Sequence, residues 1–180
     1  MFSGDLKYLL GTGMIVCRTI RQESRMINND ILRQLRYALN INDSAIIEIF
    51  KLAGHEIERS GMAGILKKED EEGFVNCSDA VLGYFLDGLI LDKRGRKETE
   101  PGETRKPDSR LTNNVILKKI RIALELKEVD MLAILRLAEV NISKSELTAL
   151  FRKEGHKNYK ECGDQFLRKF LRGLSLNYRP

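Results

Sequence analysis

Cysteine, histidine and proline are scarce in this sequence, and each scarcity narrows what the chain can be. Its 180 residues hold 3 cysteines, 2 histidines and 3 prolines. Cys17, Cys77 and Cys162 form no C-x-x-C pair and are too few for a disulfide framework. They read as reduced thiols that fill space as small, partly buried apolar groups. A zinc site needs about four Cys, His or acidic ligands at compatible spacing, and His55, His156 and three scattered cysteines do not supply it. No metal or cofactor is expected. No apolar run approaches the roughly 20 residues of a membrane span. Phosphate-binding glycine loops, a nucleophile elbow and a His-Glu-x-x-His pair are also missing.

The first 25 residues carry no convincing export signal. Tyr8 to Cys17 is mildly apolar but interrupted by Gly11, Thr12 and Gly13, and Asp5 stands where a signal peptide needs net positive charge. Met26 directly precedes the first ordered-looking segment, so the natural start is expected there, with residues 1–25 an upstream extension. With no convincing export signal, a cytoplasmic location is expected, where the thiols stay reduced.

What is present is a duplication. Asn28-Asn29-Asp30-Ile31-Leu32-Arg33 matches Asn113-Asn114-Val115-Ile116-Leu117-Lys118 at a shift of 85. The match runs without a gap to Leu91 and Leu176, with about one position in three identical. Ile31, Leu32, Leu35, Ala38 and Leu39, and their partners Ile116, Leu117, Ile120, Ala123 and Leu124, make one helical stripe. Asn28 or Asn29 is the expected N-cap. A second helix is expected over Asp43–Ala53 and Glu128–Ala138. A third is expected over Glu58–Lys67 and Ser143–Lys153, where Ser143 and Glu146 form a capping box. Gly61 and Gly64 should weaken its copy-one version. A fourth is expected over Asp79–Lys93 and Asp164–Leu176, each capped by its aspartate. Gly88 and Gly173 occupy equivalent places there, where close helix approach explains the missing side chain.

No strand-period alternation competes, so the fold class is all-α: a tandem duplication of a four-helix module, with the two modules docked about a pseudo-twofold axis. Copy one spans residues 26–94 and copy two 112–180. Between them, residues 95–111 carry Pro101, Pro107 and many charges but almost nothing apolar, and read as a flexible linker.

The Asn-Asn-x-Ile-Leu opening, the segment Lys68–Phe74 and the segment Glu161–Leu167 resemble the YehS-like bacterial proteins, catalogued as domain of unknown function 1456 and present in two tandem copies. The resemblance spans residues 26–178. It implies a small bacterial, cytosolic protein and supplies no catalytic residue, substrate or cofactor.

Several polar residues recur in both copies: Arg36 and Arg121, Lys68 and Lys153, Glu69 and Glu154, Cys77 and Cys162, Asp79 and Asp164. A duplicated site would use them, but capping and ion pairing explain the same residue types. The arginines should bury their stems and pair with an acid of the long loop. Cys162 with His156 invites a thiol nucleophile, yet the copy-one counterparts are Cys77 and Glu71, so no base stands there. No catalytic residue is assigned, and an enzyme is not expected.

Charge distinguishes the copies. Asn28–Leu91 holds about 6 basic and 11 acidic residues, whereas Asn113–Leu176 holds about 13 and 8. The whole chain carries +5. Oppositely charged copies could attract each other, within or between chains, or the basic copy could bind a polyanion. Residues 131–152 resemble a helix-turn-helix, with Lys144, Ser145, Thr148, Arg152, Lys153 and Lys157 offered to nucleic acid. Aromatics are sparse in that half, so a single-strand stacking platform has little support. The leading expectation is a protein-interaction or regulatory module that binds an unidentified protein or itself. A nucleic-acid binder working through copy two comes second, and an unrecognised enzyme centred on the long loops third. No membrane partner is expected.

Overall fold

The structure, a computed structural model, describes residues 26–95 and 111–179. The expectations for residues 1–25 and for the interior of the linker lie outside these. Among the described residues there are eight helices and no strand: α1 (Asn28–Ala38), α2 (Asp43–Leu52), α3 (Arg59–Leu66), α4 (Asp79–Arg94), α5 (Asn113–Ala123), α6 (Glu128–Leu137), α7 (Lys144–Ala149) and α8 (Asp164–Tyr178).

Local chemistry starts these helices in different ways. Asn42 Oδ1 accepts the Ala45 amide at 2.8 Å and Ser78 Oγ accepts that of Val81 at 3.3 Å. The capping box of α7 is formed: Ser143 Oγ takes the Glu146 amide, and Glu146 Oε2 takes that of Ser143. The double asparagine does not cap. The residue before α1 is Ile27, which offers no acceptor, and the residue before α5 is Thr112, whose hydroxyl accepts the Val115 amide. Likewise Asp79 and Asp164 are first helical residues, following Ser78 and Gly163.

The third helices depart most from expectation. The α3 helix has 8 residues and α7 has 6, although α7 has the better cap. After Ala149 the chain tightens, with Leu150 and Phe151 bonding three residues back. Gly64 has a packing reason: a Cβ there would lie 2.6 Å from Val75 Cγ2. The equivalent Ala149 keeps the same backbone bond, its carbonyl accepting the Lys160 amide as that of Gly64 accepts the Val75 amide.

Packing follows the duplication and then crosses it. In copy one, α4 lies antiparallel on α2, with Phe50 against Phe85 and the His55 ring stacked on Tyr84 at 4.7 Å. The approach is close enough that a Cβ on Gly88 would sit 1.9 Å from the Ile49 carbonyl oxygen. In copy two, a Cβ on Gly173 would sit 2.1 Å from that of Ile134. Close approach therefore accounts for both glycines, as read from the sequence.

The first helix of each copy, however, lies chiefly on the fourth helix of the other: α1 on α8, and α5 on α4. Both crossings are parallel. The Met26 amide donates to Asp164 Oδ2 at the start of α1/α8, and Arg179 reaches Asn40 and covers the Tyr37 ring at its end. Arg94 meets Glu125 at the matching end of α4/α5, the pseudo-twofold counterpart of Arg179 and Asn40. The two copies interlock rather than touch as finished bundles. Phe85, Leu86 and Leu89, with Phe170, Leu171 and Leu174, are all fully buried in one core that draws on both copies. Each such side chain stabilises the fold by roughly 1.5–3 kcal/mol on burial.

Candidate functional site

The most ordered polar feature occurs twice and joins the first helix to the long loop before the fourth. Asn29 is buried, and its amide group spends its full local capacity on backbone. Its Nδ2 donates to Ile65 O and Val75 O, both at 2.8 Å, and its Oδ1 accepts the Cys77 amide at 2.9 Å. Asn28 Nδ2 donates to Cys77 O at 3.1 Å and to Asp79 Oδ1 at 2.8 Å. Copy two repeats every bond. Asn114 reaches Leu150 O and Lys160 O and accepts from Cys162, while Asn113 reaches Cys162 O and Asp164 Oδ1.

These clasps explain several residues that recur in both copies. Asp79 and Asp164 take the asparagine amide and place negative charge in the first turn of α4 and α8, where the helix dipole favours it. Cys77 and Cys162 are each 1 % exposed at the centre of a clasp. Burial first, and then the adjacent Asp79 or Asp164, pushes each thiol up to about 12. That is the opposite of thiolate activation. His156 is exposed, and its Nδ1 accepts the Asn158 amide.

Arg36 does pair with an acid, but with Asp43 at the start of α2 rather than one in the long loop, and its Nε donates to Ile41 O. Arg121 makes the equivalent bond to Leu126 O and lies over the Phe151 ring at 4.6 Å. Lys68, Glu69, Lys153 and Glu154 remain on the surface of the two loops.

The six residues proposed for a polyanion are differently placed. Lys144 Nζ lies 3.3 Å from Glu128, Ser145 Oγ 2.9 Å from Ser143 Oγ, and Thr148 Oγ1 donates back to Lys144 O. Arg152 donates weakly to Asn158 O at 3.4 Å, while Lys153 and Lys157 are exposed. With α7 at 6 residues, the second element of the supposed helix-turn-helix is under two turns long. Its hydroxyls are engaged locally. Among the described residues there is no group of three or more His, Cys, Asp or Glu that could hold a metal, and no helix long and apolar enough to cross a membrane.

The clasp was missed in the sequence because Asn is read first as a cap. A signal was available: the Asn-Asn pair, the cysteine and the aspartate keep the same separations in both copies, while most polar neighbours diverge.

Two interlocked four-helix copies with matched polar clasps define a duplicated helical protein. The chain belongs to the family described as a protein of unknown function, DUF1456, whose model matches residues 28–95 and again 113–179. It is similar to the uncharacterized protein YehS of Escherichia coli (strain K12), with 49 % identity over 150 residues, covering 83 % of this chain and 95 % of that protein. No solved structure matches it.

Proposed function

We propose that this chain acts by binding rather than by chemistry, as a protein-interaction module in which two interlocked copies present oppositely charged loops. One observation carries the reading: the copies agree where side chains hold the scaffold, and the long loops anchored there diverge in charge beyond their first three residues. Asn28, Asn29, Cys77, Asp79 and their counterparts are occupied with backbone and with each other. The loops they anchor open alike, with Lys67-Lys68-Glu69 against Arg152-Lys153-Glu154, and then diverge: Asp70-Glu71-Glu72 follow in copy one, but Lys157 and Lys160 in copy two. Opposite fields on one rigid body favour oriented docking of a charged protein partner. The buried, proton-retaining thiols weigh against thiol catalysis, and the reduced state they imply fits a cytoplasmic setting.

The nucleic-acid reading retains Arg152, Lys153 and Lys157 but has no reading helix. It reduces to sequence-independent contact with phosphates.

Photo-crosslinking from position 70 or 154 in the native host tests the proposal. Protein adducts are expected, and they should be lost when Glu69, Glu71 and Glu72 are replaced by lysine. Absence of protein adducts, together with DNA or RNA retention that falls steeply with salt and is abolished by Lys153→Ala and Lys157→Ala, would transfer the function to the nucleic-acid reading.

A further inference from the structure

The crossing of α5 on α4 contains one deeply placed ion pair. Lys119 is only 9 % exposed, and its Nζ lies 2.7 Å from Asp87 Oδ1. Such a pair adds little net stability, because desolvation offsets the attraction, whereas reversing one partner sets like charges together away from bulk water. Its influence therefore falls on which surfaces can pair.

The duplication shows which alternatives it penalises. A shift of 85 carries Lys119 to Gln34 and Asp87 to Arg172, so the other crossing, α1 on α8, holds glutamine and arginine at these positions. Arg172 is exposed there. Were copy two to pair with another copy two, each crossing would set Lys119 against Arg172, two like charges. Were copy one to pair with copy one, each crossing would set Asp87 against Gln34 and leave a half-buried carboxylate without its cation. Only copy one on copy two avoids both. The helix ends do not discriminate, because Arg94 and Arg179 each find an acceptor in either Asn40 or Glu125.

We propose that Lys119 and Asp87 are the selector of copy pairing. Through them each copy recognises the opposite copy of this same chain, within one molecule or between two, and rejects its own kind. The occupant of each copy's crossing surface is thus fixed as the other copy, whatever else the charged loops bind.

The test uses the intact chain first. Asp87→Arg reproduces the like-charge contact of a copy-two pair, and Asp87→Ala merely removes the acid. Asp87→Arg should raise the unfolding equilibrium constant at least ten-fold beyond Asp87→Ala, and adding Lys119→Glu to Asp87→Arg should recover most of it. Equal effects of Arg and Ala, or no recovery, overturn the proposal.

A second arm reads selection directly. A chain with a protease site inserted between residues 96 and 110 is cleaved, unfolded, refolded and weighed by native mass spectrometry. Mixed pairs of copy one with copy two should exceed like pairs at least ten-fold, and Arg172→Asp, which gives Lys119 a carboxylate, should bring out copy-two pairs. A statistical mixture of like and unlike pairs in the parent chain overturns it.

Discussion

Replacing Asn29 by alanine should open the copy-one clasp and destabilise the whole molecule. The substitution deletes three hydrogen bonds at once and strands Ile65 O, Val75 O and the Cys77 amide, each previously matched within 2.9 Å. A buried backbone group left without a partner costs about 1–3 kcal/mol. Allowing for water reaching Val75 O at the clasp's rim, a loss of about 3–5 kcal/mol is expected, a large share of an ordinary domain's stability. Asn114→Ala should cost less, since Asn114 is 8 % exposed against 0 % for Asn29. Asn29→Asp separates chemistry from volume. Its carboxylate can accept from Cys77 but faces two carbonyl oxygens, so its folded pKa is raised above the ordinary value of about 3.9. A raised pKa means that the variant is least impaired below that value and loses stability as pH rises through the folded one. The assay is urea unfolding from pH 3.5 to 7 in a Cys17→Ser background, with thiol labelling of Cys77 as a local probe and Cys162 as internal reference. A cost below about 1 kcal/mol for Asn29→Ala, with no added pH dependence in Asn29→Asp, would refute the clasp as a structural element.

Two further outcomes follow from the same packing. Both clasp thiols rise from 9.0 to about 12 on folding, so the stability they lend is whole below about pH 9 and declines as pH climbs towards 12. A Cys77→Ala/Cys162→Ala chain should therefore lose less stability than its parent between pH 8 and 10.5 in paired urea titrations; an equal loss contradicts the burial argument. Gly88→Ala and Gly173→Ala should each cost about 3 kcal/mol or more, because the new methyl meets a carbonyl oxygen that cannot swing away. Gly83→Ala, with nothing within 4 Å, should instead stabilise α4 by about 0.5–1 kcal/mol. Thermal melts of the three variants decide the point, and a neutral Gly88→Ala would mean that α2 and α4 are not held so closely.

Much of the fold was legible in the chain because helical periodicity and duplication are local or repeated signals. The second helices, Asp43–Leu52 and Glu128–Leu137, stop one residue short of their expected ends. The buried stripe of Ile31, Leu32, Leu35 and Ala38 is as read, and the Ser143–Glu146 capping box forms. Both rest on neighbours within a turn or two. The misreadings concern reach. Asn28, Asn29 and Asp79 suit helix starts by residue type, yet they bond partners 36 to 51 residues away. Arg36 finds an acid one helix on rather than in the long loop. The helix-turn-helix likeness ended where α7 tightens after Ala149, a termination its favourable cap did not foretell.

By itself the sequence determined the eight helices, the twofold repeat, the glycines at the tightest contacts and the opposite charge of the copies. Each of these is written in spacing, residue size or composition. Tertiary structure alone decided that α1 lies on α8 and α5 on α4, and that a lysine of one copy meets an aspartate of the other. An apolar stripe specifies that a helix face must be covered, and the stripes of α1 and α5 are nearly the same. Which fourth helix covers which first helix depends on side chains brought together from opposite ends of the chain.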